Sequence, residues 1–187
     1  WQAPSQPGWV VPMDDGRLLA GLQSGLHRFD PRDGSFELVT APEADRPGNR
    51  LNDATIDSRG RLWFGSMDDG EQDPTGRVYR LAGRECQLTG IPPVCITNGP
   101  ALSPDGQLLY HVDTLGREIH RYDVDDDGRY HAVGYTCPEV CEPDGEVRVY
   151  SPGGALESLV PMGLLGSAWF GPHDIAWSPA GYAVVAF

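Results

Sequence analysis

A strand-turn-strand unit recurs along this chain, and it constrains the fold more than any other feature. It appears as Trp9-Val-Val-Pro-Met-Asp-Asp-Gly-Arg-Leu-Leu-Ala-Gly21 and as Asp53-Ala-Thr-Ile-Asp-Ser-Arg-Gly-Arg-Leu-Trp-Phe-Gly65. It returns as Gly99-Pro-Ala-Leu-Ser-Pro-Asp-Gly-Gln-Leu-Leu-Tyr-His111 and as His173-Asp-Ile-Ala-Trp-Ser-Pro-Ala-Gly-Tyr-Ala-Val-Val-Ala186. Short apolar runs bounded by Asp-Gly and Pro-Gly turns are a strand and hairpin signal, and helical periodicity is almost absent. A second unit follows the first: Gly25-Leu-His-Arg-Phe-Asp30, Gly76-Arg-Val-Tyr-Arg-Leu81, Glu118-Ile-His-Arg-Tyr-Asp123 and Glu146-Val-Arg-Val-Tyr-Ser151. Together they make four short strands in about 45 residues, the period of a propeller blade. A blade cannot bury both faces alone, so neighbours must stack around an axis.

The spacing then breaks. The turn glycines Gly16, Gly60, Gly106 and Gly181 are separated by 44, 46 and 75 residues, and Glu118 and Glu146 by only 28. Asp144-Gly145 should open a first-type unit, yet the chain runs straight into a second-type strand. The expectation is one all-β domain over 1–187, an incomplete β-propeller with about three full blades and two partial ones. Either the chain is a fragment with an internal deletion, or the fold closes in a way the repeat does not foretell. The open strand edges of an unclosed propeller invite self-association.

Composition narrows the partners. The net charge of −13 argues against nucleic acid and against an anionic membrane surface, and it suits a protein that holds cations or simply stays in solution. No run approaches the roughly 20 apolar residues of a spanning helix. No basic-then-apolar leader is present. The start has no Met and reads like the middle of a protein. Cys86, Cys95, Cys137 and Cys141 form no paired Cys-x-x-Cys motif, which speaks against structural zinc. Cys137 and Cys141 have the spacing to pair, but reduced thiols in a cytoplasmic protein are the preferred expectation.

In a propeller the loops at one mouth bring distant residues together, so the residues just before the first strand of each blade are candidates for a shared site. Here they are Arg50 and Asn52, then Asn98-Gly99, then Asp144, then His173-Asp174. The equivalent point of the first blade is apolar. Asn and Asp oxygens on a converging rim suit a hard divalent cation, and Arg50 offers a fork of donors to a hydroxyl-rich or carboxylate ligand. Asn and Asp beside Gly equally suit turns, and Arg50 equally suits a solvated edge. Asp123-Val-Asp-Asp-Asp-Gly128 lacks the spacing and closing Glu of an EF-hand and sits where a hairpin turn is due. His27, His111, His120 and His131 alternate with apolar strand residues, so packing or surface roles are expected. No nucleophile elbow, phosphate loop or dinucleotide fingerprint is present.

The stretch Arg50-Leu-Asn-Asp-Ala-Thr-Ile-Asp-Ser-Arg-Gly-Arg-Leu-Trp-Phe-Gly-Ser-Met67 resembles the signature of the regucalcin (senescence marker protein)/gluconolactonase/luciferin-regenerating family. Ile96-Thr-Asn-Gly-Pro-Ala-Leu-Ser-Pro-Asp-Gly106, followed by Leu109-Tyr-His-Val-Asp-Thr114, resembles its second signature. Bacterial sugar lactonases of the xylonolactonase and gluconolactonase type are the most similar. The resemblance covers about residues 9–145. It implies a six-bladed propeller with one divalent ion (Ca, Zn, Mn, Mg or Fe) that hydrolyses a sugar lactone to the aldonic acid. By the same resemblance Asn98 and Asp144 are metal ligands, Asp144 is the general base, and Arg50 and Asn52 bind substrate. Asp69 or Glu71 stands near the family's acidic substrate contact. The family's N-terminal Glu ligand has no counterpart, with Asp53, Asp113 or Asp174 as possible substitutes. This puts the activity of this chain in question and keeps two alternatives open: a non-enzymatic calcium- or partner-binding propeller, and an inactive lactonase-like fragment. Residues from Met162 onwards have no assigned place.

Overall fold

The computed structural model describes residues 1–124 in full and, beyond them, the backbone of the strands Tyr130–Thr136, Glu146–Tyr150, Leu156–Pro161, Asp174–Trp177 and Ala183–Ala186. The described strands form four antiparallel sheets of four. The first contains β1 (Pro7–Pro12), β2 (Leu18–Leu22), β3 (Gly25–Asp30) and β4 (Ser35–Thr40), paired in that order. The second contains β5 (Asn49–Ile56), β6 (Leu62–Asp68), β7 (Val78–Ala82) and β8 (Glu85–Leu88). The third contains β9 (Thr97–Leu102), β10 (Leu108–Asp113), β11 (Glu118–Val124) and β12 (Tyr130–Thr136). Each is one copy of the two sequence units in succession, the expected blade.

The two partial blades join each other. β13 (Glu146–Tyr150) and β14 (Leu156–Pro161) share a sheet with β15 (Asp174–Trp177) and β16 (Ala183–Ala186), in the order β14-β13-β16-β15. Strand β13 pairs with β16, with Arg148 opposite Val185 and Tyr150 opposite Ala183. The first-type hairpin β15–β16 supplies the strand pair that β13–β14 lacks. The sheet is completed out of sequence order, because an unpaired edge between two halves of a blade would leave its backbone groups unsatisfied. The inner strands β1, β5, β9 and β15 neighbour one another in that order.

The repeat's turn is the same in all three fully described copies. Gly16, Gly60 and Gly106 have φ of 81°, 74° and 71°, a region that L side chains rarely adopt. Their N–H groups donate to the carbonyls of Met13, Asp57 and Ser103. In the second copy Asp57 is also buried. Its carboxylate accepts from the Arg59 and Arg61 backbone N–H groups and from Trp63 Nε1 at 3.1 Å. Burial alone would push the Asp57 carboxyl up, but hydrogen bonds from Trp63, Arg61 and Arg59 outweigh it and hold it below the usual carboxylate range.

The cores lie between blades. Phe64, Leu62, Leu81 and Tyr79 face Leu26 and the partly buried Trp9, Val11 and Leu19 of the first blade. Trp63 and Val78 face the other way, onto Leu109, Tyr122 and Val124 of the third. The strand period of two thus splits neighbouring Trp63 and Phe64 between two interfaces. Both are fully buried, and each side chain contributes on the order of 2–3 kcal/mol relative to exposure. Cys86 and Cys95 are free thiols, and burial pushes both up, Cys86 to about 11. Neither is therefore a ready nucleophile. Cys137 and Cys141 lie outside the described residues. Among the described residues no helix is long and apolar enough to cross a membrane.

Candidate functional site

The mouth is built by irregularities at the start of the inner strands. Between β5 and β6, Leu51 faces Ser66 and Asp53 faces Gly65, so Asn52 is an extra residue. Between β9 and β10, Asn98 faces Val112 and Ala101 faces Tyr110, so Gly99 and Pro100 together oppose His111. Between β1 and β2, Pro7 faces Leu22 and Trp9 faces Gly21, which makes Gly8 the extra residue of the first blade. A β-bulge bends its strand and re-aims a side chain. Arg50, Asn52 and Asn98 therefore lie inside strands, at these bulges, not in the connections before them. Gly8 is present because the Leu51 carbonyl sits where its Cβ would be, 2.2 Å away.

Arg50, Asn52 and Asn98 are brought together. Arg50 Nη1 donates to Asn52 Oδ1 at 2.7 Å, and Asn52 Nδ2 donates to Asn98 Oδ1 at 2.6 Å and to the Thr97 carbonyl at 2.8 Å. Asn98 Nδ2 then donates to Thr114 Oγ1 at 2.6 Å. The relay runs from the second blade into the third. Asp53 adds a parallel tie, its Oδ2 accepting from Gly99 N–H at 2.7 Å. Arg50 Nε donates to Asp69 Oδ1 at 3.0 Å, and Gln6 Nε2 donates to the same oxygen at 3.2 Å. Asp69 therefore links the first and second blades beside Arg50. Arg50 Nη2 keeps no hydrogen-bond partner among the described residues.

Other candidates fall elsewhere. Asp113 Oδ1 accepts from Gly116 N–H at 2.9 Å, a turn role. Glu71 occupies a turn with φ of 54°. His27 is buried, and its Nδ1 meets the Gly25 carbonyl at 3.1 Å, which requires that nitrogen to carry the proton. His111 is buried against His120, ring centroids 5.8 Å apart, with neither ring nitrogen partnered among the described residues. Residues 125–128 of the acidic stretch, Asp144 and His173 lie outside the described residues, as do the side chains of His131 and Asp174. The strands flanking the acidic stretch pair with Val124 opposite Tyr130, as a hairpin requires.

Sequence reasoning missed a support beneath the mouth. The Glu43 carboxylate is buried and accepts from Asn49 Nδ2 (2.9 Å), Ser66 Oγ (2.7 Å) and Tyr79 OH (2.6 Å). Burial, and then this bond to Glu43, push the Tyr79 hydroxyl far above its ordinary value. Asn49 directly precedes Arg50, so the network fixes where β5 begins. Glu43 lies in a connecting segment with no motif around it, and nothing in its spacing marks it. It also lines a cleft of about 380 Å³ with Ser5, Ser24 and Arg46, and that cleft touches none of the relay residues.

No three His, Cys, Asp or Glu side chains gather as a metal cluster among the described residues. The described part of the mouth offers instead the Asn98 amide oxygen. One lone pair of that oxygen is used by Asn52, and a second remains by the chemistry of a carbonyl oxygen. An oriented amide oxygen is a donor suited to a hard divalent cation, so on this point the residues fit one.

Comparisons with known proteins give the chain's kinship and fold. Residues 1–156 match the model of the SMP-30/Gluconolactonase/LRE-like region. The chain is 32% identical over 185 residues to an L-arabinolactonase of Azospirillum brasilense, covering 97% of this chain and 59% of that one. It is 37% identical over 117 residues to a putative sugar lactone lactonase of Rhizobium meliloti, covering 62% and 39%. The chain thus spans roughly two fifths to three fifths of these relatives' length. Among solved structures, a calcium-binding protein, regucalcin, of Agrobacterium tumefaciens superposes with a TM-score of 0.76 at 20% identity, over 100% of this chain and 77% of that one. A gluconolactonase of Xanthomonas campestris does so with a TM-score of 0.67 at 21% identity, over 96% and 71%. These structural likenesses carry the fold, a partial propeller, while the family match and the 32% identical relative carry the kinship. The chain belongs to the SMP-30/gluconolactonase/LRE-like family.

Proposed function

We propose that this chain carries the substrate-reading part of a sugar lactone hydrolase, which opens an aldonolactone to the aldonic acid. The observation that supports this most is the Arg50–Asn52–Asn98 relay, which gathers charge and amide groups from two blades at one mouth. The lactonase names of the relatives support the same substrate class.

Arg50 and Asn52 bind and orient the sugar hydroxyls. Arg50 is held by Asp69 and Asn52, and its Nη2, which has no partner among the described residues, is the donor offered to a ligand. A guanidinium fixed in this way loses little further freedom on binding. Positioning of this kind is worth several kcal/mol in ester hydrolysis. Asn98 and Asp144 would hold one divalent cation, which when bound supplies the positive charge that polarises the lactone carbonyl. Asp144 takes the proton of the attacking water as general base. The water oxygen bonds to the carbonyl carbon, the ring C–O bond breaks, and the released hydroxyl takes up a proton.

The test is hydrolysis of L-arabinolactone and gluconolactone by this chain, with and without a chelator, beside an Asn98→Ala variant. The expected result is activity abolished by chelator and strongly reduced by the substitution. Activity indifferent to both overturns the cation's role. A second reading, a calcium-binding propeller without hydrolysis, draws on the likeness to regucalcin. Calcium binding with no turnover of either lactone would favour it.

A further inference from the structure

Donor and acceptor roles along the relay are dictated from one end. Arg50 can only donate. The Asn52 atom that faces it at 2.7 Å is therefore Oδ1. Asn52 must then turn Nδ2 towards the Thr97 carbonyl and Asn98. The Asn98 atom that receives this N–H at 2.6 Å must be Oδ1, which leaves Nδ2 facing Thr114. Amide orientations are ordinarily ambiguous, and here the charge of Arg50 removes the ambiguity at both residues. Thr114 stands at the far end. It is buried, directly after β10, and its Oγ1 accepts the last N–H at 2.6 Å. Without that acceptor the half-buried Nδ2 group would lose this partner, and the Asn98 side chain would be held by Asn52 alone.

We infer that Thr114 is a positioning residue that holds the Asn98 side chain in place by taking its Nδ2 N–H, in the orientation that Asn52 imposes. The inference rests on the reading of Asn98 as a cation ligand for its functional meaning, though not for its geometry. Thr114 touches neither substrate nor cation in this role. It acts through Asn98, as the outer partners of metal ligands do elsewhere, where their loss lowers metal affinity about 10- to 100-fold.

Two variants of the full chain test it. Thr114→Val keeps the shape and removes the acceptor, whereas Thr114→Ser keeps the acceptor. The first measurement is the hydrogen exchange of the Asn98 side-chain amide by nitrogen-15 NMR. Protection should be lost in T114V and retained in T114S. The second is titration of Ca²⁺ and Mn²⁺ by calorimetry, where T114V should weaken binding about 10- to 100-fold and T114S should restore it. Wild-type protection of the Asn98 amide in T114V overturns the inference. If the unaltered chain binds neither ion, the cation reading of Asn98 is overturned instead, and the exchange measurement still decides the role of Thr114.

Discussion

Asn52 Nδ2 lies 2.6 Å from Asn98 Oδ1, joining the bulge of the second blade to that of the third. The two residues are 46 positions apart, one repeat. The contact exists because both bulges turn their side chains to the same mouth.

An Asn52→Asp substitution tests that contact. A carboxylate only accepts, so it would face the Thr97 carbonyl and Asn98 Oδ1 with no proton to give. The expected loss is about 1–3 kcal/mol of stability, read from the urea midpoint. Lactone hydrolysis should fall at the same time.

Gly8→Ala should be among the costlier single-atom additions. Its Cβ would meet the Leu51 carbonyl oxygen at 2.2 Å and the Asn52 carbonyl oxygen at 3.2 Å, and backbone cannot swing aside as a side chain can. A cost of about 1–3 kcal/mol in thermal or denaturant unfolding is expected. A neutral result would mean that β1 and β5 do not approach this closely.

Glu43→Gln keeps the shape but replaces one acceptor oxygen with a donor. Asn49, Ser66 and Tyr79 all donate to the carboxylate, so at least one N–H or O–H loses its partner in a buried site. Stability should drop by about 2 kcal/mol, and the fluorescence of Tyr79 offers a local probe.

Acid stability should respond to His111. Burial, with a smaller contribution from His120, pushes its ring down from 6.5 to about 3. Between those values the unfolded chain binds the proton and the folded chain does not. The stability is therefore complete above about pH 6.5 and falls with decreasing pH by about 1.4 kcal/mol per unit until about pH 3. His111→Leu should flatten this slope and raise the midpoint at pH 5, because the ring nitrogens have no partner to lose among the described residues. An unchanged slope from pH 6.5 to 4 would place the acid sensitivity elsewhere.

Much of the architecture was legible in the chain. The turn glycines recur because only a residue without Cβ accepts a φ near 75° cheaply, so the blade period is written directly in Gly16, Gly60 and Gly106. The short apolar run Leu62-Trp-Phe reads as a strand, and Trp63 and Phe64 are buried in two different interfaces. Arg50, Asn52 and Asn98 could be nominated from their place in the repeat. The roles of Asp144 stay a proposal, since it lies outside the described residues.

Other features needed the folded chain. That β13–β14 and β15–β16 complete one sheet could not be read from spacing, because strand pairing is satisfied by any suitable edge, near or far in sequence. Glu43, Gln6 and Thr114 carry no periodic mark. Their importance arises from partners 6, 23 and 36 residues away for Glu43, 63 for Gln6 and 16 for Thr114. Local chemistry decides turns and strand faces, and it is repeated wherever the same residues recur. Hydrogen-bond polarity across blades is decided only when distant strands meet, so the direction of the Arg50–Asn52–Asn98–Thr114 relay belongs to the tertiary structure.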